Sequence, residues 1–531
     1  MSVKLFDTTL RDGTQREGVS LTTEDKVRIA RELDALGLHY IEAGFPASNP
    51  KDLDFFEDFD ATELENARLV AFTRARRPGG RAEDDPAVTL LPSLSAPGAC
   101  IVAKSWKMHV EKVLRTTPGE NLESIKDTVG YLAAAGKEVI FDAEHYFDGF
   151  RDDPGHALEV LRAAAGAGAT TLVLCDTNGG TLPTELKAVV DATVKEFPGV
   201  EIGIHTHNDA GCGVANALVA VEAGATHVQG TINGVGERCG NCDLVTTLAN
   251  LQLKMDLEVM DEENLKKLTE VSNYVSELMN LTPDSHRPYV GRSAFSHKGG
   301  LHVDGVSKDP TTYEHVAPGS LGNRRRTPVG ELSGKNSIRA KAEELGLETG
   351  DVTAVLSAIK QREYEGYHYE AADASLALLI GRATGEDRPL FELETFRIIT
   401  DKHPEGPAKT EATIKLFVKG QRVISTAEGN GPVNALDNAL RQAIEPHYPE
   451  LKNIHLSNYK VRILDEHRAT AATTRVLIDS TDGKRVWGAV GVGENIIEAS
   501  WQALVDGLEY GVNTGSVEEP RLSETPERGS R

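Results

Sequence analysis

The amino-acid sequence predicts an α/β protein that opens with an eight-fold β/α (TIM) barrel over residues 1–275. Two observations favour that fold. Eight short apolar segments alternate with amphipathic segments of helical length, and several amphipathic segments stop at a glycine, which helices favour at their C-terminal end. An open, doubly wound sheet is the alternative, but eight evenly spaced units favour a closed barrel.

The predicted barrel elements follow one another in regular order. The strands begin near Val3, His39, Arg68, Ala99, Glu138, Thr171, Glu201 and His227. The clearest helical patterns cover 23–36, 121–135, 156–167, 182–196, 213–223 and 261–278. In a closed barrel the eighth strand lies beside the first, so the segments that follow strands one, seven and eight meet in one sector of the carboxyl-terminal face.

Three further segments are predicted after the barrel. Residues 276–392 indicate a mostly helical linker region with an irregular start. Residues 393–515 predict a duplicated βββα domain, because 422–432 and 485–495 each lead from a strand through a Gly-x-Gly turn into an amphipathic helix. Such a symmetric domain suits dimerisation and effector binding. The charged, proline-containing stretch 516–531 predicts a disordered tail.

The composition is that of an ordinary globular protein. The chain has 531 residues, of which 40% are hydrophobic and 26% charged. The net charge of −24 argues against a broad nucleic-acid-binding surface. No apolar run approaches the roughly 20 residues that cross a membrane, and no signal-peptide pattern precedes the first strand. The five cysteines are an odd number, which suits free thiols in a reducing cytoplasm. Together, these features predict a cytoplasmic protein without membrane or nucleic-acid partners.

The turn after the first strand carries the first candidate site. Arg11 and Asp12 follow an apolar strand and precede Gly13. A carboxylate is a hard ligand for a divalent metal, and a neighbouring guanidinium can hydrogen-bond an oxyanion. By itself an Arg-Asp-Gly turn is also what a solvated loop looks like, so this motif needs a second one.

The end of strand seven supplies that second motif. His205 and His207 are two residues apart, so their side chains leave the strand on the same face. With Asp12 they form a set of one carboxylate and two imidazoles that leaves metal positions open for a chelating substrate. Asn241, in the stretch after strand eight, can supply a fourth ligand through its amide oxygen.

Polar residues also follow other strands of the predicted barrel. Glu42 lies near the end of strand two, Glu144 near the end of strand five, and Thr177 after strand six. A purely structural barrel does not need polar groups at so many strand ends, so together they indicate an active site. In the linker region, His302 and Asp304 lie among glycines and can act as an acid–base pair, although solvated loop residues are the alternative.

Three stretches together resemble one enzyme family. Residues 7–15, 205–209 and 236–241 are similar to the metal-dependent barrels that condense an acyl-CoA with a 2-oxo acid, namely the 2-isopropylmalate, homocitrate and citramalate synthases. The duplicated C-terminal domain resembles the amino-acid-sensing regulatory domain of that family. The stretches 104–106 and 141–149 are most similar to its citramalate branch.

The resemblance implies a role for each candidate residue. It places a divalent cation (Mn²⁺, Mg²⁺, Zn²⁺ or Co²⁺) on Asp12, His205 and His207, with Asn241 on or near it. It implies that Arg11 stabilises the oxyanion and that residues of the linker region enter the site, which the family delivers from the partner subunit. In the mechanism that we expect, Glu144 removes a proton with help from those linker residues. Those helpers are His302, Asp304 and Tyr313. The substrate-binding residues that it implies are Arg11, Gln15, Glu42 and Thr177.

The implied reaction joins acetyl-CoA, pyruvate and water to give citramalate and CoA in isoleucine biosynthesis. The implied assembly is a homodimer inhibited by a branched-chain amino acid, isoleucine ahead of leucine. A larger 2-oxo acid, which would give isopropylmalate or homocitrate, is the first alternative. A retro-aldol acyl-CoA lyase usually lacks a long regulatory domain, and a non-catalytic amino-acid-binding dimer has no need of a complete metal set.

Overall fold

The computed structural model describes residues 2–330, 333–348, 350–385, 388–465, 471–483 and 485–514. The predicted disordered tail at 516–531 lies outside them. The described residues form two compact units: a barrel unit from 2–295 and 315–324, and a C-terminal unit from 296–314 and 325–514. The predicted segment boundaries at 275, 392 and 515 stay predictions.

The barrel unit confirms the predicted closed barrel. Eight parallel strands pair in sequence order, and β1 closes the barrel on β8 through Leu5 and Val228. The strands are β1 (Lys4–Asp7), β2 (Tyr40–Gly44), β3 (Arg68–Arg74), β4 (Gly98–Lys104), β5 (Glu138–Glu144), β6 (Thr171–Asp176), β7 (Glu201–Thr206) and β8 (His227–Gly230). The open doubly wound sheet is therefore excluded.

Helices surround the barrel and bury its outer face. They are α1 (Thr23–Leu36), α2 (Pro50–Asp58), α3 (Pro86–Thr89), α4 (Lys107–Lys112), α5 (Pro118–Ala134), α6 (Tyr146–Asp152), α7 (Pro154–Ala167), α8 (Pro183–Glu196), α9 (Gly213–Glu222), α10 (Leu244–Lys254), α11 (Glu262–Leu265) and α12 (Leu268–Leu278). Helix α1 starts at a capping box between Thr22 and Asp25 and ends at Gly37 in the left-handed conformation, as its sequence indicates.

Several helix boundaries differ from the sequence prediction for local reasons. Helices α5 and α7 begin earlier than predicted. Thr117 and Asp153 each cap the start of a helix whose first residue is a proline. The single helix predicted at 261–278 is wrong. It is divided in two, because the amide of Lys267 bonds the carbonyl of Asn264, three residues back, and interrupts the α-helical pattern.

The interior of the barrel near the amino ends of the strands is packed with side chains. An inner cluster contains Phe6, Tyr40, Val70, Cys100, Ile140 and Val173, and it extends to Cys175, which pairs with His205 near the carboxyl end of β6. His227 on β8 lies among these rings, with centroids 5.2 Å from Phe6 and 5.6 Å from Tyr40. Because these side chains fill the interior, we expect the polar chemistry at the carboxyl ends of the strands.

The C-terminal unit begins with helices and ends with two similar halves. The helices are α13 (Gly300–Lys308), α14 (Lys335–Glu344), α15 (Val352–Tyr364) and α16 (Asp373–Thr384). The first half has β9 (Glu392–Asp401), β10 (Lys409–Val418), β11 (Gln421–Gly429) and α17 (Pro432–Ile444). The second half has β12 (His455–Ile463), β13 (Thr474–Thr481), β14 (Val486–Gly493) and α18 (Ile496–Thr514). The predicted helical region and duplicated βββα domain are confirmed.

Each half places one strand at the centre of a three-stranded antiparallel sheet. The sheet orders are β11-β10-β9 and β12-β13-β14. Alternate residues of the central strands are buried in a shared apolar cluster with α17 and α18, for example Ile414 and Leu416 on β10 and Ile478 on β13. Among the described residues, no helix has both the length and the apolar character needed to cross a membrane.

Candidate active site

Three predicted ligands meet at the carboxyl-terminal face of the barrel. Asp12 follows β1, His205 lies on β7, and His207 comes directly after β7. Nε2 of His205 is 3.3 Å from Oδ2 of Asp12, and Nε2 of His207 is 4.0 Å from the same oxygen. The two Nε2 atoms are 3.4 Å apart. One carboxylate oxygen and two imidazole nitrogens therefore converge on one point, a donor set that can hold a divalent cation.

The backbone around these ligands explains their convergence. The amides of Arg11, Asp12 and Gly13 all donate to the carbonyl of Thr8, which folds the loop after β1 tightly over the strand end. On β7 the alternation of side chains directs His205 into the barrel, whereas Thr206 bonds the carbonyl of Gly213 outside it. Since β8 lies between β7 and β1, barrel closure brings together residues that are far apart in sequence.

The electrostatics of the three ligands follow from burial and mutual contact. Burial alone would raise the pKa of Asp12, but Arg11 and then His205 hold it well below its usual range. Burial also opposes protonation of His205, but its contact with Asp12 raises its pKa. For His207, burial and then the neighbouring His205 lower the pKa to about 4. Such opposed shifts in a small polar cluster are typical of functional sites.

Asn241 lies beside the cluster, but its amide is turned differently from the prediction. Its Nδ2 donates to Oδ2 of Asp12 at 2.6 Å, because a carboxylate accepts and only the amide nitrogen can donate. Its Oδ1 is buried without a hydrogen-bond partner in the described part of the chain. A Cβ atom at Gly236 would lie 1.9 Å from that oxygen, so the Asn241 amide keeps this orientation only with glycine at position 236. Ligation through Oδ1 requires a half-turn of the amide.

Arg11 is held in place on three sides. Its Nε donates to Oε2 of the fully buried Glu42 at 2.6 Å, and its Nη1 lies 3.3 Å from Oδ1 of Asp12. Its guanidinium carbon lies 4.2 Å from the centre of the Phe72 ring, close enough for a cation–π contact. The structure thus places Glu42 against Arg11, and burial raises the pKa of the Glu42 carboxyl while Arg11 opposes that shift.

Three more predicted residues lie on the same face of the barrel. Glu144 ends β5, is half-buried, and forms an ion pair with Lys104 at the end of β4. Thr177 follows β6, and its hydroxyl accepts from the backbone amide of His145 at 2.9 Å. Gln15 ends the short turn after Asp12 and is exposed.

The remaining predicted residues belong to the C-terminal unit. His302 lies on α13, and its ring stacks on Tyr313 with centroids 4.2 Å apart. Asp304 accepts from Lys308 at 2.6 Å and from Asn336 at 3.2 Å. His302 and Asp304 thus make separate contacts here, and their acid–base role stays a prediction.

Sequence reasoning missed two sets of supporting residues. Gln229 on β8 contacts His205, and it faces inward because it lies two residues after the inward-facing His227. Arg238 bonds both carboxylate oxygens of Asp209 and the carbonyl of Thr177, so it ties together the loops after β6, β7 and β8. The inward alternation along β8 was the one signal that could have indicated Gln229. The Arg238 contacts depend on loop geometry that no spacing reveals.

Comparison with family models agrees with this architecture along the chain. Residues 2–275 match the HMGL-like family, 289–365 match a homocitrate synthase post-HMGL domain-like family, and 370–512 match the LeuA allosteric (dimerisation) domain. The HMGL-like match spans the closed barrel with its Asp12, His205 and His207 cluster.

Comparison with curated proteins identifies full-length relatives. The chain is 50% identical to the (R)-citramalate synthase of Streptomyces coelicolor, over 97% of this chain and 98% of that protein. It is 48% identical to the (R)-citramalate synthase of Synechocystis sp., over 96% of each chain. A probable 2-isopropylmalate synthase of Methanopyrus kandleri is 32% identical, over 95% of this chain and 97% of that protein. The chain therefore belongs to the HMGL-like family and, within it, to the group of (R)-citramalate synthases.

Proposed function

We propose that this chain condenses acetyl-CoA with pyruvate and water to give citramalate and CoA, a step toward isoleucine. The observation that carries the proposal is the convergence of Asp12, His205 and His207 beside Arg11 on the barrel face of a chain 50% identical to an (R)-citramalate synthase. The lower identity, 32%, to a probable 2-isopropylmalate synthase favours pyruvate over a larger 2-oxo acid.

Asp12, His205 and His207 would hold a divalent cation, with Asn241 beside them. Mn²⁺, Mg²⁺, Zn²⁺ and Co²⁺ all suit one carboxylate and two imidazoles with open positions. When bound, such a cation supplies Lewis-acid polarisation of the keto group of the 2-oxo acid. The buried setting of all three ligands supports this role, since surrounding water is largely excluded.

Arg11 would stabilise the alkoxide that forms at the keto carbon of pyruvate. The Nε of Arg11 donates to Glu42, and the Phe72 ring covers one face of the guanidinium. These two contacts fix the plane of the guanidinium before the substrate binds. Donors fixed in advance stabilise a developing charge without reorganisation. Thr177 and Gln15 would bind the substrate carboxylate at the rim.

Glu144 would remove the proton from the methyl group of acetyl-CoA. Its ion pair with Lys104 holds the carboxylate in one orientation. His302, Asp304 and Tyr313 would assist, delivered by the partner subunit of a homodimer. The resulting carbon nucleophile attacks the keto carbon, a C–C bond forms, and water then cleaves the thioester to release CoA.

Measurement of thiol release with a panel of 2-oxo acids tests the proposed substrate. Pyruvate should give the highest kcat/KM, well above 2-oxobutyrate and 2-oxoisovalerate. The Arg11→Lys variant serves as a control, because its loss of activity ties the released thiol to this site. A clear preference for 2-oxoisovalerate would instead assign the chain to isopropylmalate synthesis.

Isoleucine is the proposed effector of the duplicated domain, with leucine second. The match of 370–512 to a LeuA allosteric (dimerisation) domain supports both regulation and dimer formation. A coupling free energy of about 1–3 kcal/mol corresponds to a 5–150-fold change in an apparent constant. Initial rates and sedimentation of the full chain, with isoleucine, leucine and valine in turn, test both points. A monomer whose rate none of the three changes would contradict them.

A further inference from the structure

A chain of buried hydrogen bonds runs from His205 across the barrel interior. Nδ1 of His205 contacts Oε1 of Gln229 at 2.8 Å, and Nε2 of Gln229 donates to Oδ1 of Asp142 at 3.0 Å. All three residues are buried, with exposed fractions of 5%, 1% and 3% in that order. The contacts link β7 to β8 and β8 to β5, beneath the cluster of Asp12, His205 and His207.

The strand pairing fixes the first contact of this chain. His205 and Gln229 are directly paired residues of the neighbouring parallel strands β7 and β8. Their side chains leave the sheet on the same inward face, so the imidazole and the amide stay adjacent without any loop to position them. Asp142 comes from β5, which is not a neighbour of β8, so the second contact crosses the barrel interior.

The order of donors and acceptors decides which nitrogen of His205 carries the proton. A carboxylate oxygen accepts, so Asp142 directs the NH₂ group of Gln229 toward itself. The amide oxygen of Gln229 then faces His205, and it can only accept. Nδ1 of His205 must therefore carry the hydrogen, which leaves the lone pair on Nε2. That Nε2 is the atom that faces Asp12 and His207.

We propose that Gln229 and Asp142 are positioning residues that hold His205 in its Nδ1–H tautomer and so prepare Nε2 to bind the cation. The inference rests on the proposed metal site at Asp12, His205 and His207. Outer groups that bond a metal-ligating histidine orient its ring and fix its tautomer, and their loss commonly weakens metal binding 10–100-fold.

Titration of the full chain with Mn²⁺ tests the proposal without measuring catalysis. The paramagnetic resonance signal of free Mn²⁺ reports the unbound fraction. Gln229→Leu keeps the volume of the side chain but removes the acceptor, so Mn²⁺ affinity should fall about 10–100-fold. If that variant does not fold, Gln229→Met, which has the length of glutamine, carries the same expectation.

A rescue variant and a control separate positioning from packing. The double variant Gln229→Glu with Asp142→Asn restores an acceptor toward His205 and a donor from position 142, so its affinity should return to within a few-fold of the unaltered chain. His227→Leu alters the same inward face of β8 one layer lower and should leave the affinity unchanged. Wild-type affinity in folded Gln229→Leu, or in Gln229→Met, would overturn the positioning role alone. Failure of the unaltered chain to bind Mn²⁺ would overturn the metal site as well.

Discussion

The two ends of the barrel interior give a buried histidine different partners and shift its pKa in opposite directions. At the amino end, His227 lies among the rings of Phe6 and Tyr40, and neither of its ring nitrogens has a hydrogen-bond partner among the residues described. At the carboxyl end, His205 bonds Gln229 on one side and faces Asp12 on the other. Burial lowers the pKa of His227 to about 3, whereas contact with Asp12 raises that of His205 against its burial.

Burial alone therefore does not make a histidine functional. Both residues are almost fully buried and both point into the barrel. Of the two, only His205 contacts a charged group, because Asp12 reaches it from the loop after β1. The amino end is closed by apolar packing, which leaves a neutral imidazole as a space-filling aromatic ring.

The largest expected effect comes from Arg11→Lys at the carboxyl end. Lysine keeps the charge but lacks the planar fork that bonds Glu42 and an oxyanion together. Loss of one such donor costs on the order of 100-fold or more in kcat. Steady-state kinetics measure it, and Arg68→Lys, at the amino end of β3, is the matched control. If Arg11→Lys kept turnover within a few-fold of the unaltered chain, Arg11 would have no part in the chemistry.

The next largest effect is on stability in acid, and it depends on His227 at the amino end of the barrel. The folded-state pKa of His227, about 3, lies below the unfolded value of about 6.5, so the unfolded chain binds the proton first. Stability therefore falls as the pH drops below about 6.5, by about 1.4 kcal/mol per pH unit from this residue. His227→Leu should remove about 2 kcal/mol of the stability difference between pH 8 and pH 5.

Denaturant unfolding at those two pH values measures the contribution of His227. The free energy of unfolding at pH 5 is subtracted from that at pH 8 for each protein, and the two results are compared. A change in stability that is the same at both pH values in His227→Leu therefore cancels. An identical pH dependence in the variant and the unaltered chain would show that His227 does not stay neutral in the fold.

The smallest predicted effect concerns Glu42, which acts through Arg11. Glu42→Gln keeps an acceptor for the Arg11 Nε but removes the charge that opposes the guanidinium, so kcat should fall on the order of 10-fold with little change in the KM for acetyl-CoA. Glu138→Gln provides the amino-end control, since that carboxylate bonds the hydroxyl of Tyr40. If Glu42→Gln and Glu138→Gln had equal kcat values, a buried carboxylate at the carboxyl end would matter no more to catalysis than one at the amino end.

Much of the carboxyl end was predictable from sequence. The His205 and His207 spacing fixes a shared face, and closure of eight strands brings Asp12 beside them. The orientation of the Asn241 amide was not predictable, because it depends on which neighbouring atom accepts a hydrogen bond. The ion pair of Lys104 with Glu144 depends on the register of β4 against β5, which the sequence does not reveal.

The amino end was less predictable. His227 was identified only as the start of a strand, and nothing in its neighbours along the chain shows that it enters an aromatic layer. That layer gathers residues from several strands, with Phe6 on β1 and Tyr40 on β2. Which residues share a layer depends on the stagger of the strands, and small shifts in stagger are invisible in a single sequence.

A parallel measurement on His207→Ala and His227→Ala tests whether the carboxyl end of the barrel, and not the amino end, binds the metal. Each purified variant is loaded with Mn²⁺, dialysed, and measured for bound metal and for thiol release from acetyl-CoA with pyruvate. We expect that His207→Ala loses both the metal and the activity while it stays folded, and that His227→Ala retains both at neutral pH. Wild-type metal content in His207→Ala, or loss of metal from folded His227→Ala, would contradict this expectation.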